Sequence, residues 1–217
     1  MRMETPKPPH SITERLREGL SRVGMAMRID DWNRSKASGL NPTQLAILTL
    51  LEGRGVDGLG VREIAAHLGV SQPTATDSIN ALERKAYLEK RPEASDRRAV
   101  RVVPTAAGLA ALAASDTGDG LAAEALGALD EHEQEALLLA LVKMIRQLQV
   151  AEAIPVQRMC VTCRHFVPFA HADPARPHHC HFVDAAFGQR ELRVDCRDHD
   201  EADPASRAAT WDAFQTG

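Results

Sequence analysis

Four cysteines near the end of the chain have the residue type and the number that a metal centre needs. Cys160 and Cys163 form a C-x2-C pair, Cys180 follows after sixteen residues, and Cys196 follows after a further fifteen. Four thiolates are what a tetrahedral zinc site or a 4Fe–4S cluster requires. We therefore predict that these four cysteines bind metal, although their number alone does not identify it.

The spacing slightly favours an iron–sulfur cluster over zinc. Structural zinc sites in ribbons and fingers more often use two close pairs of ligands, whereas Cys180 and Cys196 lie far apart in the chain. Zinc remains the alternative cofactor. Free thiols or peroxide-sensing pairs are a further alternative, because a thiolate beside Arg164 or Arg197 would be easily oxidised.

Aromatic and imidazole side chains surround these cysteines in the sequence. The phenylalanines can shield a cluster from solvent, or they can form the small core that a segment of this size needs. The histidines can replace a cysteine as a metal ligand or donate hydrogen bonds to the ligands, and otherwise they are exposed loop residues. These side chains are Phe166, Phe169, Phe182, Phe187, His165, His171, His178, His179, His181 and His199.

Composition divides the chain of 217 residues into parts. All five phenylalanines, six of the nine histidines and all four cysteines lie beyond Val150. We predict a flexible tail at residues 1–10, a main domain at 11–150 and a cysteine-rich metal-binding domain at 151–217. A segment this small with few aliphatic residues needs a metal or similar crosslink to fold.

Charge and hydropathy restrict the compartment and the class of function. The net charge is −4, so nucleic-acid binding requires a local basic patch, and residues 84–101 hold seven basic side chains against three acidic ones. Without a long apolar run or an N-terminal signal segment, the sequence predicts a cytoplasmic protein that does not enter a membrane. With no nucleophile–base pair, phosphate-binding loop or dinucleotide fingerprint, it also predicts that the protein is not an enzyme.

Hydrophobic periodicity and capping residues predict a mainly helical main domain with one β-hairpin. Asn41 before Pro42 and Ser71 before Pro73 are typical helix starts. The segment PEASDRRA at 92–99 suits a hairpin tip. The predicted helices cover 12–36, a segment from Pro42 to near Gly53, 61–68, 72–85, 105–114 with an uncertain continuation to 129, and 131–150, and the predicted strands cover 87–91 and 100–103.

Two short helices joined by the turn at residues 69–71 are typical of a helix-turn-helix unit, whose second helix enters the DNA major groove. The start of that helix carries small or hydrogen-bonding side chains that can contact bases or phosphates. The following hairpin carries arginines that can reach the minor groove. We therefore predict DNA contacts from Ser71, Gln72, Thr74, Thr76, Asp77, Arg97 and Arg98.

The stretches VREIAAHLGVSQPTATDSINALERKAYLEKR and ASDRRAVRV resemble the MarR family of winged helix-turn-helix regulators. The resemblance implies a homodimer with interlocked terminal helices, a recognition helix at 72–85 and a wing at 92–100. It also implies that Asp96 orients an arginine while Arg98 reaches the minor groove. Pro104 departs from the family pattern, which has leucine there, and leads us to expect a shortened second wing strand.

The expected fold is mainly α with a small β wing: a winged helix-turn-helix domain with a helical dimerisation region, followed by a small, loop-rich cysteine domain. The leading functional hypothesis is a dimeric repressor of a pseudo-palindromic double-stranded DNA operator, whose affinity is modulated through the cysteine centre by redox or metal signals. The alternative is that a small organic effector binds in the dimer cleft and that the cysteine domain is a structural zinc module.

Overall fold

The computed structural model describes residues 11–54, 57–93, 100–115 and 120–217. Within these ranges eight α-helices and six short β-strands follow one another along the chain. Arg97 and Arg98, two of the predicted DNA contacts, and Asp96 lie outside the described residues. The helices are α1 (Ile12–Ala37), α2 (Pro42–Leu51), α3 (Val61–Leu68), α4 (Gln72–Arg84), α5 (Ala106–Ser115), α6 (Leu121–Gly127), α7 (Glu131–Val150) and α8 (Pro204–Thr216).

Local capping explains where the helices of the helix-turn-helix region begin. The side chain of Asn41 accepts a hydrogen bond from the backbone of Gln44 at the start of α2. Ser71 does the same for Thr74 at the start of α4. Both caps satisfy backbone N–H groups that have no partner within the helix. The predicted starts of these two helices are therefore confirmed.

The wing is a three-stranded antiparallel sheet in the order β1-β3-β2. Its strands are β1 (Leu59–Gly60), β2 (Leu88–Pro92) and β3 (Val100–Pro104). The expectation that Pro104 shortens the second wing strand is wrong, because β3 includes Pro104 and pairs it with Leu88. β1 pairs with β3 only at Arg101 and Val102. On the β1 side of Pro104 there is therefore no strand that would need the backbone N–H that proline lacks.

The cysteine domain contains more regular structure than the sequence suggested. It holds a second antiparallel sheet, β4 (Phe166–Val167), β5 (His178–Cys180) and β6 (Ala185–Phe187), in that order. It ends in α8, whose first turn is capped by Asp203. This helix was not predicted from the sequence, although Asp203 followed by Pro204 is a typical helix start.

Two separate hydrophobic cores hold the chain together. The first core fills the winged helix-turn-helix region and consists of Leu40, Leu45, Ile47, Leu48, Leu51, Leu59, Ile64, Ile79, Leu82, Leu88, Val102 and Leu112. The second core joins α7 to the cysteine domain and consists of Val142, Met159, Val161, Cys163, Phe166, Leu192 and Phe214. Because Val142 belongs to α7, the cysteine domain packs directly on the last helix of the main domain. The domain boundary at 150/151 stays a prediction.

Helix α1 exposes a large amount of apolar surface. Eight of its large apolar side chains have exposed fractions between 45% and 69%, namely Ile12, Leu16, Leu20, Val23, Met25, Met27, Ile29 and Trp32. A large exposed apolar surface of this kind marks an interaction site. Within the described part of the chain, no helix has the length and apolar character needed to cross a membrane.

We expect the free energy of unfolding to fall as the pH drops below about 6.5. Burial, and then the charge of Arg54, lowers the pKa of His67 on α3. The unfolded chain therefore binds more protons than the folded one in this pH range, so acid favours unfolding. In urea titrations at about pH 7.5 and pH 5.5, His67→Gln should lose less stability on acidification than the parent protein. His132→Gln, at the start of α7, is the control, and an equal loss in both variants would contradict the role of His67.

Candidate DNA interface and four-cysteine site

Helix α4 presents one face to the first core and the opposite face outward. Ala75, Ser78, Ile79 and Leu82 are buried, which fits the three- and four-residue spacing of one helix face. A left-handed glycine, Gly69 at φ +62°, makes the turn between α3 and α4. This turn and the buried face together position α4 as the second helix of a helix-turn-helix unit.

The predicted contact residues at the start of α4 have local partners. Ser71 Oγ accepts from the backbone N–H of Thr74 at 3.2 Å and lies 2.8 Å from Thr74 Oγ1. Thr76 Oγ1 donates to the carbonyl oxygen of Gln72 at 2.8 Å. The hydroxyl oxygens retain lone pairs, but Ser71 is first of all a helix cap. Gln72 and Asp77 are exposed at the same helix end.

Two outward residues of α4, Asn80 and Arg84, were not among the predicted DNA contacts. Asp77, Asn80 and Arg84 lie on one face of α4, opposite Ile79, because they are separated by three and four positions. Asn80 is held by Lys90 of β2, whose Nζ lies 2.6 Å from Asn80 Oδ1. Asparagine and arginine are the side chains that read adenine and guanine. Extending the helical spacing from Asp77 would have identified them.

Part of the predicted basic patch is neutralised by neighbouring acids. Arg101 on β3 lies 2.6 Å from Glu63 of α3 and 3.4 Å from Glu93. Lys90 pairs with Glu83 at 2.6 Å, and Arg91 pairs with Glu89. The pairs to Glu63 and Glu83 join the wing to α3 and α4. Arg84 and the wing arginines outside the described residues therefore remain the main candidates for phosphate contacts.

All four cysteines line one cavity of about 210 Å³. Cys160 begins a short 3₁₀ turn (Cys160–Thr162), and Cys163 follows it directly. Cys180 ends β5, and Cys196 lies in the loop before α8. The fold therefore brings together cysteines from three distant parts of the segment, and the cavity far exceeds the about 15 Å³ that one water molecule needs.

Backbone and side-chain N–H groups point at two of these sulfurs. The backbone N–H of Arg193 donates to Cys160 Sγ at 3.3 Å, and Arg193 Nη1 donates to Cys196 Sγ at 3.7 Å. N–H donors to cysteine sulfur stabilise negative charge there and tune the potential of iron–sulfur clusters. Arg193 thus supplies two hydrogen bonds to sulfurs that belong to different loops.

Without a bound metal the Cys160 thiol is protonated at neutral pH. Burial raises its pKa to about 11, the Arg193 N–H opposes this rise, and the neighbouring sulfurs of Cys196, Cys163 and Cys180 add to it. A thiol of this kind is a poor nucleophile, which argues against peroxide sensing at Cys160 itself. Metal binding would have to displace its proton.

The aromatic side chains line the cavity or pack in the second core, and Phe166 does both. Phe166, Phe182 and Phe187 line the cavity with the cysteines. Phe169 instead packs on His178, with ring centroids 5.0 Å apart. Three of the four predicted shielding residues therefore face the cysteine site.

The histidines also occupy different environments. His165 lines the cavity, whereas His178 is fully buried in the second core and its Nδ1 accepts from the backbone of Phe169 at 3.3 Å. His199 Nε2 lies 3.0 Å from Thr162 Oγ1. His171 Nε2 lies 3.2 Å from His179 Nδ1. In the residues that the structure describes, no three His, Cys, Asp or Glu side chains have the geometry to hold a single metal ion.

The winged region is similar to a known protein family. Residues 38–99 match the model of the MarR family. No curated protein matches the chain. Three of the matching solved structures show the shared fold. MepR of S. aureus, in a complex with DNA, is 23% identical with a TM-score of 0.53, covering 64% of this chain and 100% of MepR.

Two further solved structures match with similar TM-scores. BldR of Sulfolobus solfataricus is 22% identical with a TM-score of 0.54, and the match covers 64% of this chain and 99% of BldR. A MarR transcriptional regulator of Methanosarcina mazei Go1 is 19% identical with a TM-score of 0.52, covering 62% of this chain and 96% of that one. At these identities the likeness shows the fold.

The match to the MarR family model covers the winged region, and the fold is mainly helical and winged, as in these solved structures. Members of this family are DNA-binding transcription regulators and not enzymes. The match ends at residue 99, so the function of the cysteine domain must be inferred from its own residues.

Proposed function

We propose that the protein is a homodimeric repressor that binds a pseudo-palindromic operator, and that an iron–sulfur cluster held by Cys160, Cys163, Cys180 and Cys196 modulates its operator affinity. The observation that carries this proposal is the convergence of all four cysteines on one cavity. Loss, oxidation or chemical attack of the cluster would be the signal.

The DNA-binding part of the proposal rests on α4 and the wing. The outward face of α4 offers Gln72, Asp77, Asn80 and Arg84 to base edges and phosphates. The solved MepR complex, which shares the fold, contains DNA. A dimer places two copies of α4 one helical turn of DNA apart, which corresponds to a pseudo-palindromic operator.

The dimeric state is supported by α1, whose exposed apolar side chains include Leu16, Leu20 and Val23. A second copy of the same helix region offers the complementary apolar surface in a two-fold interface. Exposed side chains Leu148 and Val150 of α7 add apolar surface at the other terminal helix of the main domain. Terminal helices of two protomers would bury these surfaces together.

The choice of a cluster rests on the shape and the lining of the cavity. A 4Fe–4S cluster needs four thiolates arranged around a group much larger than one ion, and the cysteines stand around a space of about 210 Å³. Phe166, Phe182 and Phe187 line it with apolar surface, and Arg193 donates to two of the sulfurs. When bound, the cluster would supply a redox- and oxygen-sensitive group.

A route from the cysteine domain to the dimer passes through α7. Val142 of α7 is buried with Val161, Cys163 and Phe166 in the second core. Arg190 also pairs with Glu131 at the start of α7, with Nη1 2.6 Å from Oε2. A structural change around Cys163 would therefore be transmitted to α7, which we assign to the dimer interface.

The test begins with protein purified without oxygen. We expect a brown protein with broad visible absorption and about four iron and four sulfide per chain. Operator affinity, measured on DNA fragments selected by the protein itself, should differ between the loaded protein and the same protein after cluster removal. Colourless protein with about one zinc per chain would reject the cluster and favour the alternative, a structural zinc module with a small organic effector in the dimer cleft.

A further inference from the structure

The cysteine domain makes a second contact, separate from α7, with the winged domain. This contact lies at the turn that directly follows α2. Arg158 Nη1 donates to the carbonyl oxygen of Gly53 at 2.9 Å. Arg197 Nη2 lies 3.2 Å from Glu52 Oε1. Two arginines of the cysteine domain therefore hold two consecutive residues of the winged domain.

Both arginines are tied to the loop that carries Cys196. Arg197 is the next residue in the chain, and the backbone N–H of Cys196 donates to the carbonyl oxygen of Arg158 at 2.8 Å. The guanidinium of Arg158 also pairs with Asp195, with Nε 2.6 Å from Oδ1. A movement of Cys196 would consequently move both arginines.

The contact at Gly53 is close enough to require glycine. Its backbone has φ +71°, and a Cβ atom built there would lie 2.7 Å from Cγ of Arg197. The side chain of Arg158 is 10% exposed, so its bond to the Gly53 carbonyl is shielded from water. The Arg197–Glu52 pair is more exposed, at 67% and 45%, and such pairs contribute little. Arg158 is therefore the stronger of the two contacts.

The turn at Glu52 and Gly53 directly follows α2, and α2 packs against the recognition helix α4. Leu48 and Leu51 near the end of α2 are fully buried in the first core with Ile79 and Leu82 of α4. Close-packed cores transmit small displacements because they contain few voids. A shift of the turn at Glu52 and Gly53 would therefore alter how α2 supports α4.

We propose that Arg158, assisted by Arg197, is the positioning residue that couples the state of the four-cysteine site to the DNA-binding helix. When Cys196 is a ligand, its loop is fixed and both arginines hold the turn after α2. When the centre is lost, the Cys196 loop relaxes, the arginines leave the turn, and the orientation of α4 changes. This inference rests on the proposed function and names its route of regulation.

The test compares operator affinity in the loaded and metal-free states. For the parent protein we expect the two affinities to differ by about tenfold, within the usual range of allosteric coupling. In Arg158→Gln the ratio should fall to within about twofold, while iron content and visible absorption stay unchanged. The control is Arg164→Gln, which removes an exposed ion pair inside the cysteine domain, to Asp200, and should retain the parent ratio.

A second variant changes the winged-domain residue of the same contact. Gly53→Ala displaces Arg197 and strains the turn, whose φ of +71° disfavours a side chain, without altering any residue of the cysteine domain. Because Arg158 bonds to the carbonyl oxygen of this residue, the variant should reduce the ratio in the same direction. It keeps the inference testable if Arg158→Gln loads cluster poorly. A full parent ratio in Arg158→Gln, or in Gly53→Ala where that variant is needed, overturns the inference. A parent protein whose two states bind the operator equally would instead reject the proposed function itself.

Discussion

Cys160→Ser is expected to lose its iron almost completely, from about four per chain to less than one. Cys160 lies beside the other three cysteines and accepts the backbone N–H of Arg193, so a serine hydroxyl there replaces a soft thiolate ligand by a hard oxygen. The visible absorption should disappear with the iron. The cysteine domain should also unfold more easily, because metal binding to a small domain contributes to its folding.

The measurement combines iron and sulfide analysis with operator affinity. His165→Gln is the matched control, because His165 lines the same cavity but is not among the proposed ligands, and it should keep its iron. Full iron content in Cys160→Ser would remove this cysteine from the proposed ligand set. A folded Cys160→Ser protein with the operator affinity of the loaded parent would contradict modulation through the centre.

Arg98→Ala is expected to weaken operator binding by about 1–3 kcal/mol, which corresponds to roughly 5- to 150-fold. Arg98 lies outside the described residues, and its role follows from the resemblance of the wing to the MarR family. An arginine inserted in a narrow minor groove meets strong negative potential. Its loss should lower both the affinity and the salt dependence of binding.

Fluorescence anisotropy with labelled operator at several salt concentrations measures both effects. Lys143→Ala removes one positive charge from the exposed side of α7 and should leave affinity and salt dependence unchanged. Arg97→Ala should resemble Arg98→Ala in direction. Equal affinities for Arg98→Ala and the Lys143→Ala control would contradict a DNA-binding wing.

The helices of the main domain could be predicted from the sequence because their starts are marked by nearby residues. The caps Asn41 and Ser71 determined where α2 and α4 begin. Their effect needs only residues within one helical turn. The same kind of signal, Asp203 before Pro204, precedes α8, so that helix was predictable and was missed. The short strands of the cysteine domain lack such signals, because two or three residues cannot establish a period.

The sequence by itself determined a winged helix-turn-helix region with a recognition helix near 72–85, and a cysteine set large enough for one metal centre. Tertiary structure decided that the four cysteines share a cavity and that His178 belongs to the core. It also decided that Arg158 touches Gly53, 105 residues away in the chain. The reason is physical: caps and helical periods depend on near neighbours, whereas cavities and interdomain contacts depend on how distant segments pack.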